Sequence, residues 1–419
     1  MTADIRINDL AAPQLNEAQR AALAWGETVQ LDFTPQGVLA AARARTGLSD
    51  FGAPDFHERL ALLCSEWGGD SALTAMHRAV LFGYLSRYAS NRLLIEDTLK
   101  RQPEILSERL ERPVIVTGLP RSGTTHLVNL LAADERFHSL PLWESYEPVP
   151  LPGEPRLADG TDPRYARCAA AWEGMRQVTP LLAAMHPMEP DHIHEELELM
   201  GPDYASYNFE WLSMSPRWRD HYYASDQTPH YQYLRRVLQL LQWQRQTPGK
   251  RWVLKCPQHL EQLPSLLQVF PDATVVFTHR DPVAVIQSTV TMQAYTQRMQ
   301  RPRVEMRWLR DYWVARIERL LRACVRDRDR VAAQHSVDST FHLFMRDPWS
   351  VLQEVYARAQ LPVTAAVRAR LDQYLAAHPR GKAGQVRYDL QGDFGLAPRE
   401  LRERFRFYSS RFAVEDERG

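Results

Sequence analysis

Lysine is almost missing from this 419-residue chain. Of its 51 basic residues only Lys100, Lys250, Lys255 and Lys382 are lysines, the rest being arginine. Cysteine is scarce too. Cys64, Cys168, Cys256 and Cys324 are widely scattered with no C-x-x-C pair, which argues against both a disulfide framework and a cysteine zinc site. Acidic residues also number 51, so the formal net charge is zero and no basic field favours nucleic acid or an anionic membrane. Long apolar runs are absent: no span approaches the ~20 residues a membrane helix needs. Met1 to Leu23 is polar and acidic throughout, without the apolar region of a signal peptide, so the cytoplasm is the expected location. There is no internal repeat and no low-complexity tract.

Against that background one stretch stands out. Residues 113–125 read Pro-Val-Ile-Val-Thr-Gly-Leu-Pro-Arg-Ser-Gly-Thr-Thr, followed by an apolar segment, Leu127 to Leu131, with helical spacing. The order is strand, glycine-bearing loop and helix N-terminus. Backbone N–H groups in such a loop, with the positive end of the helix dipole, cradle an anion. A nucleotide-triphosphate loop would place lysine directly after the second glycine, on the β/γ-phosphates. Gly118 and Gly123 keep the glycine spacing, but Thr124 stands where that lysine would be, and the loop's cation is Arg121. Such a loop is poorly equipped for γ-phosphoryl transfer yet suits a 5′-phosphate carrying one transferable group.

Alternation of strands and helices resumes downstream. Strands are expected at 252–254, 274–278 and 340–344. Helices are capped by Asp162-Pro163, Asp281-Pro282 and Asp347-Pro348, with a long Arg-rich helix over 304–331. The last helix places Leu401, Phe405, Tyr408 and Phe412 on one face. Residues 1–110 read as a helical N-terminal region, with Leu73, Met76, Val80 and Tyr84 spaced for one buried face. Residues 140–155, rich in proline, read as an extended crossing. Residues 111–419 form the α/β domain, with 150–247 a helical insertion on the acceptor side. The fold class is α/β: a P-loop-like, mainly parallel sheet flanked by helices. Aromatics at 204–243 are expected to pack a core, with two or three lining a pocket.

Three segments complete the pattern: Arg251-Trp-Val-Leu-Lys255-Cys-Pro257, the strand Thr274–Thr278 leading to His279-Arg280-Asp281-Pro282, and Gln287-Ser288. With the loop they resemble the sulfotransferases that use 3′-phosphoadenosine 5′-phosphosulfate, in particular the bacterial branch that shares its layout with the protein-tyrosine sulfotransferases. The resemblance spans roughly residues 112–412 and is weak between 150 and 245. It implies sulfuryl transfer to a hydroxyl of a small molecule, lipid or sugar, with adenosine 3′,5′-bisphosphate as the leaving group and no metal. An NTP-dependent kinase and a non-catalytic nucleotide-binding protein are the alternatives.

The resemblance also implies roles. Arg121, Ser122, Gly123, Thr124 and Thr125 would hold the 5′-phosphosulfate. Arg280 and Ser288 would take the 3′-phosphate, and Arg380 and Lys382 would form a late basic loop over the nucleotide, a reading that stands slightly ahead of a plain solvated turn. Lys255, at a K-x-P position closing a strand, would stabilise the leaving oxygen. Arg121 would share the transition-state charge through its guanidinium fork. Glu144, some twenty residues past Arg121, is the first candidate for the base; Glu147 and the histidines His186, His192 and His194 are its rivals. Glu195, Glu196 and Glu198 read as a helix face with structural ion pairs. The acceptor and the oligomeric state are not specified.

Overall fold

Seven strands form among the described residues of the computed structural model, which are 4–186, 188–378 and 385–417. They are β1 (Asp4–Arg6), β2 (Val114–Gly118), β3 (Phe137–His138), β4 (Arg251–Lys255), β5 (Thr274–His279), β6 (Ser336–Thr340) and β7 (Gln385–Arg387). Five make a wholly parallel sheet in the order β3-β4-β2-β5-β6. The strand carrying the glycine loop is thus central, and the chain winds outward from it in both directions. Such a reversal opens a crevice at the carboxyl ends of the strands, where α/β sheets bind ligands.

Both faces of the sheet are covered, which is why Val114–Thr117 of β2 and Thr274–Thr278 of β5 are unbroken apolar or β-branched runs rather than alternating ones. Val114 and Val116 of β2 point into a cluster with Leu127, Leu130 and Leu131 of the Thr124–Ala132 helix and Val351, Leu352 and Val355 of the Pro348–Arg358 helix. Ile115, one residue out of phase, joins the opposite core with Leu254, Val275 and residues of the Thr228–Arg245 and Pro282–Gln300 helices. The period-two alternation of a strand sorts these side chains to their two layers.

The N-terminal helices do not fold away from the rest. Leu81, Leu85 and Tyr88 of the 27-residue Ala75–Arg101 helix share a core with Tyr204, Phe209, Trp218 and Tyr222 of the 150–247 region. A buried ionic knot ties the same two regions. Asp203 accepts from Arg59 at 3.0 Å and Arg92 at 2.9 Å on one oxygen, and meets His230 Nδ1 at 2.5 Å on the other. Most aromatics of 204–243 are core residues, as their spacing suggested.

The expected caps at Asp162, Asp281 and Asp347 are present. Two local expectations shift. The strand read at 340–344 lies one turn earlier, at β6; Thr340 instead caps a helix, Phe341–Arg346. Within the proline-rich crossing, Leu142–Tyr146 winds into one short helix, so Glu144 sits on a helical turn. Sequence reading also missed β1, which pairs in parallel with β7 over Asp4↔Gln385 to Arg6↔Arg387. Among the described residues no helix is long and apolar enough to cross a membrane.

Candidate active site

Where β2 ends, Gly118 leaves no room for a side chain: a Cβ there would lie 2.0 Å from Thr278 Oγ1. That close approach lets β5 brace the loop. Ser122 donates to Leu119 O at 2.6 Å and meets Thr278 Oγ1 at 2.7 Å, so its hydroxyl shapes the turn. Arg121 (φ +68°) and Gly123 (φ +90°) adopt left-handed conformations, the strained one being the arginine's. Gly123 precedes the helix without any side-chain cap, which leaves the first-turn amides of Thr124 and Thr125 without a capping partner.

The two halves of the sequence pattern meet here. Arg121 Nε donates to Ser288 Oγ at 3.0 Å, and Arg280 Nη1 donates to Arg121 O at 2.5 Å. Ser288 also meets the Tyr388 hydroxyl at 3.1 Å. Burial lowers the Arg121 pKa; Tyr388 offsets this in part, and the neighbouring Arg280 charge adds to it. Arg280 lies over the Phe341 ring at 4.0 Å and holds the Glu417 carboxylate in its fork. Asp281 caps the next helix, as expected, through Val283 N–H at 2.9 Å. Arg380 and Lys382 lie outside the described residues.

Lys255 is the last residue of β4 and is almost wholly buried. Its ammonium approaches Thr125 Oγ1 at 3.3 Å and forms an ion pair with Glu195. Glu195, read from sequence as part of a structural ion-paired face, is therefore a missed member of the site. Its neighbour Glu198 does pair structurally, with Arg87 at 2.7 Å.

A cavity of about 700 Å³ runs from this point. Arg121, Thr124, Thr125, His186 and Glu195 line it, together with apolar residues such as Met76, Val80, Met175, Val178, Leu182 and Met292 and with charged ones such as Arg45, Arg87 and Arg167. Of the stripe expected to be buried, Leu73 and Met76 are buried and Tyr84 packs against the same core as Leu73, whereas Val80 is 39 % exposed; Met76, Val80 and Tyr84 also line the cavity. Of the tryptophans and tyrosines in 204–243, only Trp211 lines it among the described residues.

The candidate bases separate. Glu144 does not line the cavity. Arg245 holds both its oxygens and also binds Ser139 O at 2.9 Å. Glu147 does line it, but Arg45 and Arg167 clamp its carboxylate. Burial would raise the Glu147 pKa, yet the Arg167 hydrogen bonds and the Arg45 charge bring it below the usual carboxylate value. His186 and His194 line the cavity with ring centroids 6.3 Å apart. Burial, then the charges of Arg121 and Lys255, push the His186 pKa far down. Burial and Lys255 do the same to His194. His192 falls to about 4 for the same two reasons.

One further group has ligand chemistry. Glu196, Cys256 and His259 are fully buried, with donor atoms within 4.8 Å of one another, a set that could hold a divalent ion. Both Glu196 oxygens and His259 Nε2 lack hydrogen-bond partners, while His259 Nδ1 meets Tyr231 Oη at 2.7 Å. None of the three lines the cavity.

A central parallel sheet, a glycine loop lacking the triphosphate lysine, and a buried lysine at the next strand's carboxyl end define a sulfotransferase-type protein. The chain belongs to the sulfotransferase family, whose sequence profile matches residues 113–365, the span holding every strand of the main sheet. It is similar to omega-hydroxy-beta-dihydromenaquinone-9 sulfotransferase Stf3 of Mycobacterium bovis, with 26% identity over 323 residues covering 75% of this chain and 80% of that protein. Among solved structures it superimposes on sulfotransferase STF9 from Mycobacterium avium with a TM-score of 0.81 and 27% identity, covering 92% of this chain and 99% of that one. Sulfotransferase STF1 from Mycobacterium tuberculosis gives 0.76 and 27%, covering 88% and 97%.

Proposed function

We propose that this enzyme moves a sulfuryl group from 3′-phosphoadenosine 5′-phosphosulfate to the hydroxyl of an elongated, apolar alcohol. The observation that carries the reading is a cavity whose exposed wall is mostly apolar, with several methionines and aliphatic residues, and which Arg121, Thr124 and Thr125 also line. A pocket with an apolar wall and a few convergent polar groups selects a greasy body and orients one polar end. Stf3, named for a hydroxylated menaquinone, is a relative whose named acceptor has that character.

The chemistry follows from the residues. The loop amides, with the Thr124 and Thr125 hydroxyls, bind the 5′-phosphosulfate, while Arg280 and Ser288 bind the 3′-phosphate that distinguishes this donor from ATP. The acceptor oxygen forms a bond to sulfur as the bridging S–O bond breaks, and the electron pair of that bond passes to the bisphosphate. Lys255 and Arg121 stabilise the charge that builds on the bridging and sulfuryl oxygens, fixed cations in a water-poor site acting more strongly than in solution. Lys255 is free to do so once it leaves Glu195 for the nucleotide. Thr124 in the lysine position disfavours the kinase alternative.

Calorimetric titration with adenosine 3′,5′-bisphosphate, beside ATP with Mg²⁺ and 5′-AMP, tests the donor. Tight binding of the bisphosphate alone is expected; preference for ATP with Mg²⁺ would overturn the reading. Transfer of labelled sulfuryl groups to alkanols of increasing length tests the acceptor, and indifference to chain length would overturn its apolar, elongated character.

A further inference from the structure

We infer that Glu195 is the group that takes the acceptor's hydroxyl proton. The inference rests on the sulfuryl-transfer reading above and concerns one residue that the sequence pattern assigned elsewhere.

Three observations carry it. First, placement: Glu195 lines the cavity beside Arg121, Thr124 and Thr125, and its side chain keeps 13% exposure, against 1% for Lys255. Only Oε1 is engaged, by Lys255; Oε2 takes no hydrogen bond among the described residues and is available to an incoming hydroxyl. Second, rigidity: the segment leading to Glu195 is pinned backbone to backbone. His194 N–H donates to Leu140 O at 2.8 Å, Leu142 N–H donates to His192 O at 2.9 Å, and Pro141 and Ile193 form a bridge. A proton acceptor held this way needs little reorganisation. Third, the other carboxylates are engaged. Glu144 is saturated by Arg245 off the cavity, and Glu147 is clamped by two arginines. The imidazoles are disfavoured by charge, since protonating His186 would add a third cation beside Arg121 and Lys255, and protonating His194 one beside Lys255 and Arg87. Protonating a carboxylate removes an anion instead.

The pairing with Lys255 then has a mechanistic sense. Without the donor, the two opposite charges neutralise each other in a buried place. When the nucleotide's bridging oxygen draws the ammonium, Glu195 is left as an uncompensated base at the moment the acceptor is seated. The acceptor O–H bond breaks toward Glu195 as its oxygen bonds to sulfur. The bisphosphate departs with the bridging-oxygen electron pair, and the protonated Glu195 returns its proton to solvent.

The test compares Glu195→Gln, Glu195→Asp and Glu144→Gln in the full chain, with 1-dodecanol and 4-nitrophenol as acceptors and bisphosphate binding as the control. At mildly alkaline pH 4-nitrophenol is mostly ionised and needs no base. The expected result is that Glu195→Gln lowers kcat ~10²-fold or more on dodecanol but only a few-fold on 4-nitrophenol. Glu195→Asp should recover part of the loss, and bisphosphate binding should be retained or tightened in Glu195→Gln, since the carboxylate that competes for Lys255 is gone. An equal loss on both acceptors would reduce Glu195 to a structural role. The same acceptor dependence in Glu144→Gln, with Glu195→Gln unaffected, would transfer the role to Glu144. Should the wild-type chain fail to bind bisphosphate, the donor reading fails, which is a separate result. If it binds bisphosphate yet sulfates neither compound, the acceptor reading fails, and release of inorganic sulfate from the donor, with water as acceptor, then decides Glu195 by the same comparison.

Discussion

Arg280 grips Glu417 in a two-pronged ion pair, Nε to Oε1 at 2.6 Å and Nη2 to Oε2 at 2.8 Å. The tail bearing that glutamate is itself tied down: Glu417 N–H donates to Asp281 Oδ2 at 2.9 Å, and Arg402 donates to Glu417 O at 2.9 Å. A carboxylate thus occupies the fork that the proposed function gives to the nucleotide's 3′-phosphate, and on that proposal binding exchanges one anion for another. Glu417→Gln should tighten adenosine 3′,5′-bisphosphate about five-fold, the scale of one charge-assisted hydrogen bond partly screened by solvent. Arg280→Ala should weaken it by at least ten times that factor. Calorimetry on both variants checks the pair; unchanged affinity in Glu417→Gln would mean that the phosphate and the carboxylate do not compete.

The cavity wall makes a second prediction. Val80 lines the cavity from the Ala75–Arg101 helix. Val80→Trp should raise KM for dodecanol more than for butanol, by roughly ten-fold, the value of one or two lost methylene contacts. Parallel KM measurements on the two alcohols decide it, and an equal rise for both would place the chain of the acceptor elsewhere.

Gly118→Ala examines the loop's packing. The new methyl would meet Thr278 Oγ1 at 2.0 Å and Thr278 O at 2.7 Å, and the backbone atom cannot move without shifting β5. Overpacking of this kind costs about 1–3 kcal/mol. A lower Tm together with loss of bisphosphate binding is expected, because the same displacement removes the Ser122–Thr278 brace. A variant that binds normally would show that the loop tolerates a wider spacing from β5.

Acid should weaken the fold in a defined window. Burial, and then the Arg301 charge against a partly offsetting bond to Leu212 O, holds the pKa of His77 down to about 4 from 6.5. Burial, then Arg245 and Lys250, does the same to His138. Between these values the unfolded chain binds the protons that the folded chain refuses, so stability rises with pH. It is undiminished above about 6.5 and declines toward 4, by roughly 3 kcal/mol for each histidine. Urea titrations at pH 7, 5.5 and 4.5 read the slope. His77→Gln should flatten it, and an unchanged slope would remove His77 from the account.

The parts legible in the sequence were the local ones. Val114–Gly123, the Asp-Pro caps and Lys255 at a strand's end announce themselves through neighbouring residues, and the structure keeps them together. Glu195 was not legible, because what sets it apart from Glu196 and Glu198 is a partner 60 residues away. Val80 was read as core because a residue facing a cavity has the same spacing as one facing a core. The shift at β6 has a similar cause. Asp338 is drawn into an edge strand by His279 at 2.9 Å and Arg328 Nε at 2.8 Å, and nothing in its own segment advertises that.

The pairing of β1 with β7 joins residues 4–6 to residues 385–387. As the polypeptide is made, β1 precedes its partner β7 by about 380 residues, the separation between the two. Its three-residue ladder cannot form until nearly all the intervening chain has emerged and settled. Long-range pairings of this sort are slow to close. The step that zips β1 against β7 is therefore expected late in maturation, since the last strand of the main sheet, β6, ends at Thr340 and is made before β7.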